Sequence, residues 1–243
     1  MEPQRLYDVL DATWPAARQI TVGPWCVRDG QGGGKRVSSA TTTGAIEDTE
    51  IAQAEAALRE LNQDQLFMIR TGQAKLDAAL AARGYQVIDP VVAFAAPVAQ
   101  LTDQPIPRVT ALPHWEPLAI VREIWAAGGI GPARVDVMHR VTGPKTAILG
   151  RKDDKPAGAA FVAVHDGVAM AHAIEVLPHQ RRKGMAQWFM RAAAVWAEAQ
   201  GAHTIAVVCV RENTAATALY SSLGMQDVGE YHYRLLPASG EPA

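Results

Sequence analysis

The sequence predicts an α/β (α+β) chain on a mixed, mostly antiparallel sheet flanked by helices, with a weaker signal that the arrangement occurs twice in tandem. Three observations carry that expectation. Apolar runs at strand spacing arrive in succession between Thr146 and Val176, and the second and third are joined by the hairpin residues His165-Asp166-Gly167. An amphipathic helix, a fully apolar strand, another helix and a last strand follow, an order that builds a layered sheet. In the first half, Ala79 to Gln86 lies over Leu219 to Gln226 when Gly84 and Gly224 are aligned, the trace of an internal repeat.

The elements follow from their residues. Val37–Thr43 reads as a strand, Thr49–Leu61 as a helix, Leu66–Arg70 as a strand and Lys75–Arg83 as a helix stopped by Gly84. Tyr85–Ile88 and Val91–Ala96 read as strands. Gly32-Gly33-Gly34-Lys35 lacks the strand-then-helix context of a phosphate loop and reads as a surface turn. Prolines 97, 105, 107, 113 and 117 resist regular structure and suggest a boundary. Beyond it, Trp115–Ala127 has apolar residues at helical spacing up to Gly128-Gly129, and Pro132–Val141 is a second short helix. Strands at Thr146–Gly150, Ala159–Val164 and Val168–Val176 precede a helix over Met185–Gln200, whose stripe is Met185, Phe189, Ala192, Ala193 and Trp196. Thr204–Val210 is a buried strand, Asn213 caps a helix ending at Gly224, and Val228–Leu236 closes the order.

Composition excludes several functions. At 243 residues the chain holds about 1.6 domains of ordinary size, room for one large or two small ones. With 49% hydrophobic and 20% charged residues it is not a dominantly disordered chain. Its 23 basic and 25 acidic residues give a net charge of −2, which argues against nucleic acid as a partner, so any anion site is local. Cys26 and Cys209 form neither a metal-ligand spacing nor a disulfide framework, so no metal is expected and a reducing compartment fits. No apolar run approaches the ~20 residues that span a bilayer, and the first residues lack an apolar signal core. The expectation is a cytoplasmic chain with no membrane partner, for which a homodimer stays open.

The local anion site is Arg181-Arg182-Lys183-Gly184-Met185-Ala186, between a strand and a helix. A helix N-terminus presents unpaired N–H groups and the positive end of its dipole, which together bind phosphate oxygens. Gly184 frees the backbone to approach, Ala186 is small, and three consecutive cations add charge where a pyrophosphate would lie. A solvated basic turn is the plainer alternative.

Arg-x-x-Gly-x-Ala after Ile174-Glu175-Val176-Leu177-Pro178 resembles the acetyl-CoA loop of the GNAT N-acetyltransferase superfamily, with pattern Gln/Arg-x-x-Gly-x-Gly/Ala. Asn213, Ala216, Tyr220 and Gly224-Met225 resemble that family's following Asn-x-x-Ala-x-x-x-Tyr-x-x-x-Gly-Phe/Met helix, and Tyr231-His232-Tyr233-Arg234 looks like its last strand. The likeness covers residues 108–236 by element order and is specific over 174–225. It implies acetyl-CoA as cosubstrate, with Arg181, Arg182, Lys183, Gly184, Met185 and Ala186 around the pyrophosphate. It further implies Val176 along the pantetheine arm, Asn213 at the next helix start, and a cleft where the two strands part.

The resemblance implies transfer of an acetyl group directly to a primary amine of a small molecule or peptide. Tyr220 matches the family's proton donor to the departing thiolate. For the base, Glu175 ranks over His172, with ordered water a third choice; strand alternation would set those two side chains on opposite faces. Asp136, His139 and Arg140 sit on a helix that in the family borders the acceptor, and read individually as solvent-facing. The alternative function is a CoA-binding sensor or interaction module without turnover.

The first half shows no equivalent loop. Gly44-Ala45-Ile46-Glu47-Asp48 is acidic, and Leu80 takes the place of Tyr220. Residues 1–100 are expected to be a degenerate GNAT-like half that supports residues 108–236, the catalytic domain.

Overall fold

In the computed structural model, which describes residues 1–44 and 48–237, the order is α1 (Pro3–Thr13), β1 (Arg18–Val22), β2 (Trp25–Asp29), β3 (Ala40–Thr42), α2 (Asp48–Glu60), β4 (Leu66–Arg70), α3 (Ala74–Ala82) and β5 (Gln86–Pro97). It continues with β6 (Ala111–His114), α4 (Ala119–Ala127), α5 (Pro132–Arg140), β7 (Lys145–Lys152), β8 (Lys155–His165) and β9 (Val168–Val176). The last elements are α6 (Met185–Ala199), β10 (Thr204–Val210), α7 (Thr214–Ser222) and β11 (Gln226–Leu235).

The run β1-β2-β3-α2-β4-α3-β5 repeats as β7-β8-β9-α6-β10-α7-β11. Pairing repeats with it: each run opens with antiparallel strands, and β3 pairs β4 in parallel as β9 pairs β10.

The chain forms two compact units that do not coincide with its two halves. One comprises Met1–Pro15, Ala93–Cys209 and Asn213–Val228; the other comprises Ala16–Val92, Val210–Glu212 and the chain from Gly229. The expected limits at residues 100 and 108 both fall inside the first unit, because β5 and β11 each end in the unit of the other half. In the first unit the strand order is β5-β10-β9-β8-β7-β6. In the second it is β1-β2-β3-β4-β11, where β11 lies antiparallel to β4 from Tyr231↔Arg70 to Leu235↔Leu66.

Each core follows from its pattern. In the first unit α6 turns Met185, Phe189, Ala192, Ala193 and Ala197 onto the sheet. Gly150 and Gly158 make room for the Phe189 ring, since an added Cβ would come within 2.5 and 3.0 Å of it. On the opposite face lie α1 and α4. In the second unit Trp25, Val27, Ile51, Leu58, Phe67, Ile69 and Leu80 form the core beneath α2 and α3. There Asp77 clamps the arriving strand through Arg234 at 2.7 and 3.1 Å and His232 at 2.7 Å.

Some elements depart from the expectation. α1, β1, β2 and β6 had no reading, because they are short or carry mixed polar and apolar residues. The two expected strands around Asp89 are one strand, β5, in which Asp89 takes φ +44° ahead of Pro90. The proline-rich stretch lies within the first unit, and Pro113 sits on β6, at the end of the strand order, where its missing donor is tolerated. Of the acidic segment 44–48, residues 45–47 lie outside the described residues.

Candidate functional site

β9 runs into a short 3-10 turn, Pro178–Gln180, and then into α6. Arg182 at φ +63° and Gly184 at φ +79° reverse the chain between them and aim the helix N-terminus at solvent. A Cβ on Gly184 would meet nothing within 4 Å, so its backbone angle, not crowding, demands glycine. The first intrahelical bond is donated by Trp188 to the Gly184 carbonyl at 3.2 Å. The amides of Met185, Ala186 and Gln187 precede it and have no intrahelical acceptor. Arg181, Arg182, Lys183 and Gly184 are exposed, Met185 is buried and Ala186 half-buried. Lys183 donates to the buried Gln180 at 3.1 Å, and the Arg181 amide donates to the Pro178 carbonyl at 3.3 Å.

Beside this loop two parallel strands separate. β9 and β10 pair from Val168↔Thr204 to Ala171↔Val207 and no further, although β9 continues to Val176 and β10 to Val210. Burial falls close by, to half-buried from Ala173 on β9 and to half-buried or exposed from Val208 on β10. The far end of β9 therefore turns an unladdered backbone edge toward β10, able to pair with an extended chain.

The face assignment of the candidate bases differs from the alternation expected. His172 pairs with Phe161 and Glu175 with Ala159, so two β9 residues, Ala173 and Ile174, oppose the single residue Ala160. Ala173 has φ +49°, and its carbonyl accepts from the Trp125 indole at 2.9 Å. This bulge restores the phase, and His172 and Glu175 share one face, the face of α1 and α4.

The two side chains are held differently. His172 is 5% exposed, packed between Trp14 and Phe161, and its Nε2 lies 2.9 Å from Thr13 Oγ1. The Thr13 hydroxyl donates to the Val9 carbonyl at 2.7 Å, so Nε2 carries the proton toward it. Glu175 is less enclosed: it accepts from the Arg181 guanidinium at 3.2 Å and rests on the end of α4. There a Cβ on Gly128 would come within 2.6 Å of its carboxyl group.

Tyr220 on α7 is 5% exposed, with its ring 5.6 Å from that of Phe94 on β5. Burial raises its phenol well above the ordinary value, and neighbouring Cys209 raises it further, so it stays protonated at any physiological pH. Cys209 lies on the separated end of β10, which brings Tyr220 to that end of the strand pair. Asn213 caps α7, its Oδ1 accepting from Ala216 N–H at 3.1 Å.

The sequence reading had missed Trp125, Gly128, Thr13 and Trp14, which fix the bulge and the two candidate bases. Among the described residues no group of three or more His, Cys, Asp or Glu could hold a metal, and no helix is long and apolar enough to cross a membrane.

Residues 118–225 match the Acetyltransferase (GNAT) family. The chain is 27% identical over 233 residues, 92% of its length and 94% of the relative's, to the uncharacterized N-acetyltransferase YobR of Bacillus subtilis (strain 168). Its fold is similar to that of a GCN5-related N-acetyltransferase from Kribbella flavida, with TM-score 0.70 at 18% identity over 98% of this chain and 96% of that one. A tandem GNAT protein from the clavulanic acid biosynthesis pathway shares the fold at TM-score 0.59 and 12% identity, over 84% and 76% of the two chains. Over residues 118–225 the chain thus resembles the GNAT acetyltransferases, and its mixed, mostly antiparallel sheet with flanking helices is the fold of these solved structures.

Proposed function

We propose that this chain is an acetyl-CoA-dependent N-acetyltransferase, moving an acetyl group directly to a primary amine of a small molecule or peptide. The observation that carries the reading is the end of the β9–β10 ladder at Ala171 and Val207, immediately before a basic helix N-terminus. Its residues fit the cosubstrate. The amides at the start of α6 and the cations Arg181, Arg182 and Lys183 suit a pyrophosphate. The open β9 edge around Val176 suits the amide-bearing pantetheine arm. When bound, acetyl-CoA supplies the activated thioester.

The chain's own groups handle the protons. Glu175, on the face of α1 and α4, accepts the proton that the amine must lose before or during attack. Tyr220, kept protonated by burial, donates from its hydroxyl to the leaving sulfur. His172, with Nε2 engaged by Thr13, holds α1 on the sheet and orders the strand that bears Glu175. Asn213 starts α7 and thereby sets Tyr220. Residues before β5 form a GNAT-like copy that has lost the chemistry, with Leu80 in the place of Tyr220.

Isothermal titration with CoA tests the reading directly. Saturable binding to one site, weakened at least tenfold by Gly184→Asp, supports it. Absence of binding to the folded protein removes its basis. CoA binding without acetyl transfer across a panel of amines would leave the cosubstrate site standing and overturn the activity.

A further inference from the structure

We propose that Arg181 is a latch, closed in the free protein over two groups of the proposed site and opened by the cosubstrate's phosphate. The inference rests on the reading above and concerns the order in which that site assembles. The Arg181 side chain folds back along β9. Its Nε donates to the Val176 carbonyl at 3.0 Å, and its terminal nitrogen donates to Glu175 Oε1 at 3.2 Å. One guanidinium thus covers both the strand edge suited to the pantetheine arm and the carboxylate suited to the amine.

The backbone of the same residue opens the basic loop, so its side chain can serve either place but not both. Arg181 is 59% exposed, free to swing, while Glu175 is 18% exposed and wedged against Gly128, unable to follow. A phosphate at the α6 N-terminus offers the guanidinium more negative charge than one carboxylate, with two oxygens in the planar arrangement it prefers. When Arg181 moves there, the Val176 carbonyl and the Glu175 carboxylate are released together. The amine-handling group becomes available only once the cosubstrate is seated, which orders binding with the cosubstrate first. Arg181 is then a positioning residue for Glu175 as well as a phosphate ligand.

The competition has a signature in affinity, independent of turnover. Glu175→Gln removes the closed position's charge, so the wild-type background should gain about two- to fivefold in CoA affinity, as expected of a largely exposed ion pair. Arg181→Gln should weaken CoA binding roughly tenfold through loss of a charged phosphate contact. In the Arg181→Gln background, Glu175→Gln should then change nothing, because there is no latch to open. The four proteins are titrated with CoA, with thermal melts to establish that each is folded. The latch is overturned if Glu175→Gln gives the same gain in both backgrounds, which would be plain repulsion between carboxylate and phosphate. It is also overturned if Glu175→Gln leaves wild-type affinity unchanged. Failure of the wild type to bind CoA at all overturns the cosubstrate reading itself, a separate result.

Discussion

The turn from α3 into β5 and the turn from α7 into β11 are the same piece of backbone used for two purposes. In one, Tyr85 N–H donates to the Leu80 carbonyl at 3.1 Å and Gly84 has φ +87°; in the other, Met225 N–H donates to the Tyr220 carbonyl at 3.1 Å and Gly224 has φ +74°. Both glycines close a helix in the left-handed conformation. Only the side chain differs at the equivalent position: Leu80 is sealed in the core with Trp25, Ile51 and Phe67, while Tyr220 meets Phe94 and keeps a hydroxyl. The backbone hydrogen bond thus repeats between the two turns, whereas the hydroxyl at this position occurs in one of them.

The largest effect expected from this contrast is on turnover. Tyr220→Phe keeps the ring against Phe94 and removes the proton, so the acetylation rate should fall about 10²- to 10⁴-fold with CoA affinity and thermal midpoint nearly unchanged. Steady-state kinetics and titration separate the two; a rate within twofold of wild type clears Tyr220 of the role. Leu80→Ala should do the reverse. It deletes a fully buried side chain and should cost about 2–5 kcal/mol in denaturant melts, leaving CoA affinity within twofold. A marked loss of CoA binding there would mean that the N-terminal copy contributes to the cosubstrate site.

Much of this was legible in the sequence, and what was not has physical causes. From Lys145 onward the strands and helices are bounded by turn and stop residues, among them Asp153-Asp154, Asp166-Gly167, Pro178, Gly184, Gly201, Asn213 and Gly224, so the order could be read directly. The basic loop was legible because three cations adjoin a glycine at a helix start. The bulge was hidden: Ala173 at φ +49° has no glycine or asparagine to announce it, and the Trp125 indole that binds its carbonyl lies 48 residues earlier. With the bulge unseen, period-two counting sent His172 and Glu175 to opposite faces. The unit limits were hidden for a related reason. Strand exchange depends on which edge β5 and β11 join, and strand composition is silent on that choice.

The exchanged strands sharpen the comparison, since the two units fasten them differently. In the first, β5 brings Phe94 to Tyr220; in the second, β11 brings Arg234 to Asp77. The Arg234 hydrogen bonds hold the Asp77 carboxyl below the usual carboxylate range, with burial opposing and His232 assisting. A lowered folded-state value means that this stabilisation is fully present above the unfolded value of about 3.9 and is lost as pH falls below it. Asp77→Asn should cost about 1.5–3 kcal/mol near neutral pH and flatten the acid limb of the stability curve below about pH 4. Thermal melts across pH read both, and an unchanged acid limb would show that β11 is held by backbone pairing alone.

The smallest effect separates the two turns themselves. An alanine at either glycine must adopt a left-handed backbone, which costs about 1–2 kcal/mol. At Gly84 nothing lies within 4 Å of the added methyl group, so that strain is the whole cost. At Gly224 the methyl group would sit 2.3 Å from Gln100 Nε2, which donates to the Leu223 carbonyl at 2.7 Å. Moving Gln100 away gives up that bond, worth about 0.5–1.5 kcal/mol. Gly224→Ala should therefore destabilise more than Gly84→Ala by about 1 kcal/mol, and adding Gln100→Ala should bring the two costs together. Equal losses from the single variants would mean that Gln100 has no part in holding the turn, and the two turns would then be equivalent in energy as well as in backbone.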